Sequence, residues 1–471
     1  MNKSKLLAYA FGPIGSGLVG FVTLPLMTWF YSAEDIGRVS MLQVCSSFAI
    51  ILLCLGLDQA YGREYHESKN KPALLKVVLL PSLLLSIFVF LIIFFYDKFL
   101  ISEWLYGISS ISLSVLSIIC MIAALITRFF SIILRMQERA LAFSMSQLLP
   151  KILFLIFILG IVLLDFTNDS YSLITVNTLS VLVAFIIYTW NTRKDWLPSI
   201  VEKFNYKQFK IGLMFGLPLV FGGLASWVLN MTGRLFLRAL SGYSELGIFS
   251  VAMSIASAAT IFASIFNTIW SPLVFKWVSE GKVEFEKIDV MSEYVLAAIY
   301  FIVVSVGLFS WILPFLLPKE YAVIQYLLVA CLLGPLFYTL SETTSVGIAI
   351  VRKTKFSMIA SITAMLINIV VGYFLIFNCG AAGAAISTAL AFWCFYVLRT
   401  EFSKRIWRDI SVKKSYLITS FLLFLATINV FIPFDIYIRI IMWGGAMLLG
   451  FYIFRDTILK IFNAFGKLEF K

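Results

Sequence analysis

The stretch "SAEDIGRVSM", Ser32 to Met41, lies between two long apolar runs, and 210 positions later the chain reads "GYSELGIFSV", Gly242 to Val251. Aligned, Asp35 faces Glu245, Ile36 faces Leu246, Gly37 faces Gly247, Val39 faces Phe249 and Ser40 faces Ser250. Each copy joins the outer end of one apolar run to the start of the next, the first to the second and the seventh to the eighth. Six runs separate the copies, and an even number of membrane crossings gives both the same orientation. That pattern predicts a parallel repeat, two six-helix bundles related by an axis along the membrane normal.

The composition supports a lipid solvent. Of 471 residues, 61% are hydrophobic and 13% charged, about half the charged fraction of an ordinary soluble domain, which runs near ~25%. Roughly 20 apolar residues at ~1.5 Å each cross the hydrocarbon core, and a helix satisfies its own backbone there. Fourteen such stretches are present, from Leu6–Phe30 and Val39–Leu57 to Tyr416–Phe431 and Ile436–Phe454. The eleventh and twelfth, Phe356–Phe377 and Ala381–Leu398, are joined only by "NCG", Asn378 to Gly380. The fold class is therefore an all-α polytopic membrane protein. Its divisions are an N-terminal bundle (1–195), a C-terminal bundle (196–400), and two additional helices with a cytoplasmic tail (401–471). The polar linker "NTRKDWLPSIVEKFNYKQFK", Asn191 to Lys210, falls at the seam and is expected to act as a hinge. The first apolar run has no small-residue cleavage site and is expected to stay in the membrane.

The net charge of +12 acquires meaning from its distribution. With the N-terminus on the cytoplasmic side, Arg38, Lys98, Arg234, Arg238, Lys319 and Arg439 fall on the opposite side and Lys151 within a span. The remaining 30 of 37 Lys and Arg are cytoplasmic, the asymmetry expected for both termini inside. Positive charge spread over short loops excludes a nucleic-acid partner. The single histidine, His66, and six cysteines without a C-x-x-C pairing offer no metal site, and no phosphate-binding Gly-rich loop appears. The cysteines (Cys45, Cys54, Cys120, Cys331, Cys379, Cys394) read as packing residues. No cofactor is expected and no enzyme activity; a lipid-embedded transferase would need larger outward loops.

Ionisable groups within a membrane are costly and usually face a cavity, so transport through a cleft between the bundles is the leading function. Arg234 and Arg238 in "NMTGRLFLRALSG" are spaced i, i+4 and share a helix face, on the side where cations are scarce. Guanidinium groups bind phosphate by paired, charge-assisted hydrogen bonds, so these two are the candidate cargo contacts. Lys151 in "QLLPKILFL", read at the start of the fifth span after Pro150, is a third. Arg128 and Arg135 end the fourth span and read as snorkelling cations. Acidic groups near the membrane (Asp58, Asp165, Glu245, Glu342, Asp435) sit mostly at helix ends, which disfavours a cation exporter. Small and polar residues mark the first, seventh and eighth spans, among them Gly12, Gly15, Gly212, Gly216, Ser264 and Asn267. Pro13, Pro25 and Pro218 are the candidate hinge or gating positions. Trp29, Tyr31, Trp227 and Trp270 are candidates for stacking on sugar rings, with interfacial anchoring as the alternative.

"LPLMTWFYSAEDIGRVSMLQV" with "LGLDQAYGREY", and "GRLFLRALSGYSELGIFSVAMSIASAATIFASIFNTIWSPLVFK", resemble the polysaccharide-exporting flippases of the multidrug/oligosaccharidyl-lipid/polysaccharide (MOP) superfamily. The O-antigen (Wzx-type) flippases are the nearest in kind, and the resemblance spans roughly residues 6 to 400. It implies a bacterial inner-membrane protein that carries an undecaprenyl-pyrophosphate-linked oligosaccharide to the periplasmic leaflet by alternating access. It further implies a cationic cleft, H+ or Na+ coupling in some members, and association with membrane lipids, a polysaccharide polymerase and a chain-length regulator. Family sequences often carry Asp before the arginine of the seventh helix; Gly233 stands there, which removes an ion-pair partner from Arg234. Competing readings are a peptidoglycan-precursor flippase and a drug or cation exporter on the same architecture.

Overall fold

The structure, a computed structural model, describes residues 3–164, 168–279, 285–351, 353 and 355–466. Side-chain surroundings are described for these except residues 3–10, 264–265, 267–269, 271–272, 275–276, 278–279 and 461–466. Asp165 and the side chains of Ser264 and Asn267 thus lie outside the described residues. All regular structure among the described residues is helical.

Two compact units form, one of residues 1–238 with 242–250, the other of residues 239–241 with 251–471. The first contains α1 (Lys3–Phe30), α2 (Ala33–Leu53), α3 (Leu57–Glu64), α4 (Lys71–Tyr96), α5 (Leu100–Tyr106), α6 (Ile111–Met136), α7 (Ala140–Leu163), α8 (Ser170–Asn191), α9 (Arg193–Val201) and nearly all of α10 (Tyr206–Leu240). It also holds the first half of α11 (Tyr243–Ala256). The second contains the rest of α11, α12 (Ala258–Ser279), α13 (Phe285–Phe309), α14 (Leu313–Leu316), α15 (Ile324–Thr344), α16 (Val346–Ile350), α17 (Lys355–Ile406), α18 (Lys413–Phe431), α19 (Ile436–Ile453) and α20 (Arg455–Gly466).

Thirteen helices among the described residues are long and apolar enough to span a membrane. One of them, α17, has 52 residues; at 1.5 Å per residue it would reach about 78 Å, more than twice the ~30 Å hydrocarbon core. Its backbone leaves the helical region at Gly380 (φ 53°, ψ −129°), a left-handed φ that favours glycine. A Cβ on Gly383 would collide with the Leu375 carbonyl oxygen, so the chain doubles back tightly there. The eleventh and twelfth spans are therefore two legs of one hairpin, and the count among the described residues is fourteen.

The repeated phrase begins as a helix cap. Ser32 and Asp35 form a capping box: the Asp35 amide donates to Ser32 Oγ and the Ser32 amide to Asp35 Oδ2, both at 3.2 Å, which satisfies two donors that a helix start leaves open. In the first unit the phrase then meets its second copy. Gly37 lies against the Tyr243 carbonyl, Gly247 against the Ala33 carbonyl, and a Cβ on either glycine would overlap that oxygen. Elsewhere α1 packs on α7, with Gly12 against the Ser144 backbone, and α2 packs on α6 and α8.

In the second unit α15 is the centre, packed against α13, α17 and α18. Polar bonds fasten the last two spans to this core. Arg439 Nη2 donates to Gln325 Oε1 (2.8 Å), Asn429 Nδ2 to the Tyr326 carbonyl (2.9 Å), and Trp443 Nε1 to Asn429 Oδ1 (3.2 Å). Trp443 is fully buried, with its ring over Gly307.

Candidate functional site

Lys151 lies at the middle of α7, the twelfth of 24 residues, rather than at its start. The helix begins at Ala140, directly after a turn in which Glu138 has a φ of 56°. Eleven residues at 1.5 Å put Lys151 roughly 16 Å into the span, near mid-membrane depth. Its Nζ donates to the Ser16 carbonyl of α1 at 3.2 Å, and the side chain is exposed. An ammonium has three donors, and the other two have no partner among the described residues. Intramembrane cations are costly and usually face a cavity or a partner.

Arg234 and Arg238 stand in the last two turns of α10, both half-buried. Arg234 Nη1 lies 3.3 Å from Met231 Sδ. Arg238 Nη2 donates to the Trp104 carbonyl at 3.3 Å, and its guanidinium lies 4.7 Å from the Tyr243 ring centroid. Its Nε is buried with no hydrogen-bond partner among the described residues. The structure thus brings the two arginines to the C-terminal end of α10 and leaves Lys151 apart from them, in the middle of α7 and bonded to α1.

A third arginine shares this end, and the sequence reading did not select it. Arg38, from the repeated phrase, lies 5.3 Å from the same Tyr243 ring, so two guanidinium groups address one aromatic. Arg38 donates Nε to the Tyr106 carbonyl (3.0 Å), Nη1 to Ser170 Oγ (2.7 Å) and Nη2 to Glu34 Oε1 (2.5 Å); Ser170 in turn donates to Asp35 Oδ1. Its place among the few outward cations was the signal that could have found it. Fully engaged, Arg38 is a scaffold for this end.

Other cations find carboxylates. Arg128, read as snorkelling, donates Nε and Nη2 to buried Asp58 Oδ2 at 3.2 and 3.1 Å. In the second unit Arg399 Nη1 donates to Glu342 Oε1 at 2.6 Å and to Ser341 Oγ at 2.9 Å. These pairings neutralise Asp58 and Glu342, two of the five acidic candidates. Pro13, Pro25 and Pro218 all lie inside continuous helices, and neighbouring hydroxyls donate to the Pro13 and Pro25 carbonyls, Ser16 at 3.1 Å and Thr28 at 3.0 Å. Of the aromatics, Trp270 is buried in a cluster with Val274, Ile288 and Val346 and Tyr31 is buried, so neither presents a stacking face. Trp227 donates Nε1 to Ser47 Oγ at 2.8 Å, while Trp29 remains exposed. The described residues contain no group of three or more His, Cys, Asp or Glu placed to hold a metal ion.

The all-helical fold, with its many helices long and apolar enough to cross a bilayer, is that of a polytopic membrane protein. The polysaccharide biosynthesis protein family model matches residues 4–278, and the chain belongs to that family. A structure of the lipid II flippase MurJ in an inward closed conformation is similar over 97% of this chain and 100% of that one, with a TM-score of 0.65 and 16% identity. A MATE-family multidrug resistance transporter of the MOP superfamily is similar in its inward-facing conformation over 83% of this chain and 94% of that one (TM-score 0.58, 14% identity). Its outward-facing counterpart covers 85% and 94% (TM-score 0.51, 16% identity). At these identities the likeness is one of fold, that of MOP flippases and transporters. Comparison with curated proteins returns no match.

Proposed function

We propose that this protein moves an undecaprenyl-pyrophosphate-linked oligosaccharide, an O-antigen-type repeat unit, from the cytoplasmic to the periplasmic leaflet of a bacterial inner membrane. The observation that carries the reading is Lys151, a mid-span ammonium with open donors in a member of the polysaccharide biosynthesis family. In the proposed cycle two bundles (1–195 and 196–400) rock about a cleft, with 401–471 appended and both termini cytoplasmic. Lys151 receives the pyrophosphate, and Arg234 and Arg238 hold it at the outer end. Bending at Pro13, Pro25 and Pro218 accommodates the switch. A proton or sodium gradient supplies direction, because a cargo bound equally in both states shifts neither. A polysaccharide polymerase and a chain-length regulator would receive the product.

The test is the double variant Arg234→Gln/Arg238→Gln, expected to abolish surface polysaccharide while the protein remains inserted; normal surface polysaccharide would refute the role. The whole-length likeness to a lipid II flippase makes peptidoglycan-precursor flipping the second reading. Rescue of cells depleted of their precursor flippase would favour it over the first.

A further inference from the structure

Helix α9 is inside out. A surface helix normally buries an apolar stripe and exposes polar residues; α9 does the reverse. On its inner side Thr192 and Ser199 are buried, Asp195 Oδ1 accepts Gln137 Nε2 at 2.7 Å, and Trp196 Nε1 donates to the Thr189 carbonyl at 2.8 Å. Its outer side carries Leu197, Ile200 and Val201, which are 48%, 58% and 84% exposed. With nine residues it extends about 14 Å, far too short to span a bilayer.

This orientation is fixed by named bonds. Lys76 of α4 donates Nζ to the carbonyls of Ile200 (2.7 Å) and Glu202 (2.6 Å), so its ammonium caps orphan carbonyls at the negative end of the helix dipole. Just before α9, Arg139 Nη2 donates to Oδ1 of Asn191, the last residue of α8, at 2.5 Å. The bonds of Asp195, Trp196 and Lys76 thus hold the exposed apolar side in place. Around it stand Arg193, Lys194, Lys203, Lys207 and Lys210, with Phe204 and Tyr206 also exposed.

We propose that α9 is a membrane-surface helix seated on an anionic lipid leaflet, the cytoplasmic one by the charge asymmetry of the chain. Leu197, Ile200 and Val201 enter the boundary between headgroups and acyl chains. Lys194, Lys203, Lys207 and Lys210 meet lipid phosphates. Apolar insertion combined with basic residues is how short amphipathic helices bind anionic membranes, and the charge complementarity selects lipid over a second protein surface. The linker is then a docked part of the first unit, continuous with α10. This inference goes beyond the export reading and stands independently of it.

A nitroxide label on Ile200→Cys, and separately on Val201→Cys, in a Cys379→Ser background, reports the surroundings of α9 in nanodiscs. In phosphatidylglycerol nanodiscs the labels are expected to collide more with oxygen than with a water-soluble nickel chelate, while a label on Lys69→Cys shows the opposite. Exchange for neutral phosphatidylcholine, or Lys194, Lys203, Lys207 and Lys210 all changed to Gln, is expected to raise nickel accessibility several-fold. Nickel-dominated collisions at both positions in phosphatidylglycerol overturn the proposal, as does shielding from both reagents, which would mean a protein covers the face. Equal accessibility in the two lipids overturns the anionic preference.

Discussion

Ser40 Oγ and Ser250 Oγ lie 2.7 Å apart, and the two serines hold the same position in the two copies of the repeated phrase. The neighbouring contacts are reciprocal as well. Gly37 touches the carbonyl of residue 243 and Gly247 touches that of residue 33; 33 aligns with 243 as 37 aligns with 247. This is the isologous pattern of a two-fold contact, formed within one chain.

Gly37→Ala and Gly247→Ala each put a Cβ onto a backbone oxygen that cannot retract. Each is expected to destabilise the protein by about 1–3 kcal/mol, the usual cost of overpacking. Thermal unfolding in detergent checks it, and an unchanged midpoint for both variants would show that α2 and α11 are not in close contact.

Lys151→Gln removes the charge while keeping a donor for the Ser16 carbonyl. Loss of a charge-assisted hydrogen bond of about 1.5–3 kcal/mol corresponds to roughly 10- to 100-fold weaker binding of a phosphorylated lipid. Surface polysaccharide measured at low expression should fall accordingly. Wild-type levels would mean that the ammonium serves only to tie α7 to α1.

Arg399 and Glu342 form an ion pair whose side chains are 12% and 19% exposed. Removing one partner, as in Arg399→Met or Glu342→Leu, leaves an uncompensated charge and is expected to cost about 3–5 kcal/mol, whereas the double variant recovers most of that loss. Additive losses in a double-mutant cycle would deny the coupling.

Burial pushes the Asp195 carboxyl above the usual carboxylate range, against the opposing hydrogen bond from Gln137 and the charges of Arg139 and Lys71. A raised folded-state value means that the folded protein holds its proton more tightly than the unfolded chain does. Its contribution to stability is therefore present at acid pH and lost as pH rises through the folded value. Asp195→Asn keeps an acceptor for Gln137 without the charge. It should melt no lower than the native protein at neutral pH, and any advantage should shrink as pH falls into the carboxylate range. A variant that melts lower at neutral pH would contradict this.

The spans were readable because lipid imposes a length and a composition that sequence displays directly. Even the closely spaced pair at Asn378 to Gly380 was visible, since a glycine marks the reversal. The short helices α3, α5 and α9 were not, because local caps and distant side chains define them: Gly56 at φ 70° before α3, Lys76 across 124 positions after α9. For the site, the i, i+4 spacing placed Arg234 and Arg238 on one stretch of helix. Nothing in one dimension could show that Arg238 reaches Trp104, 134 positions away, or that Arg128 would meet Asp58. The depth of Lys151 was misjudged because Pro150 was taken as a helix start, whereas it lies inside α7.

The self-facing contact also separates two kinds of position within the phrase. Ile36, Leu246, Val39 and Phe249 are all buried, yet they need only be oily and have diverged in size. Gly37 and Gly247 each abut a carbonyl of the other copy, and Ser40 and Ser250 meet one another, so enlargement at any of the four falls against the other copy. At the glycines the obstacle is a backbone oxygen that no second substitution removes, so these positions act as a ratchet that holds the copies in step.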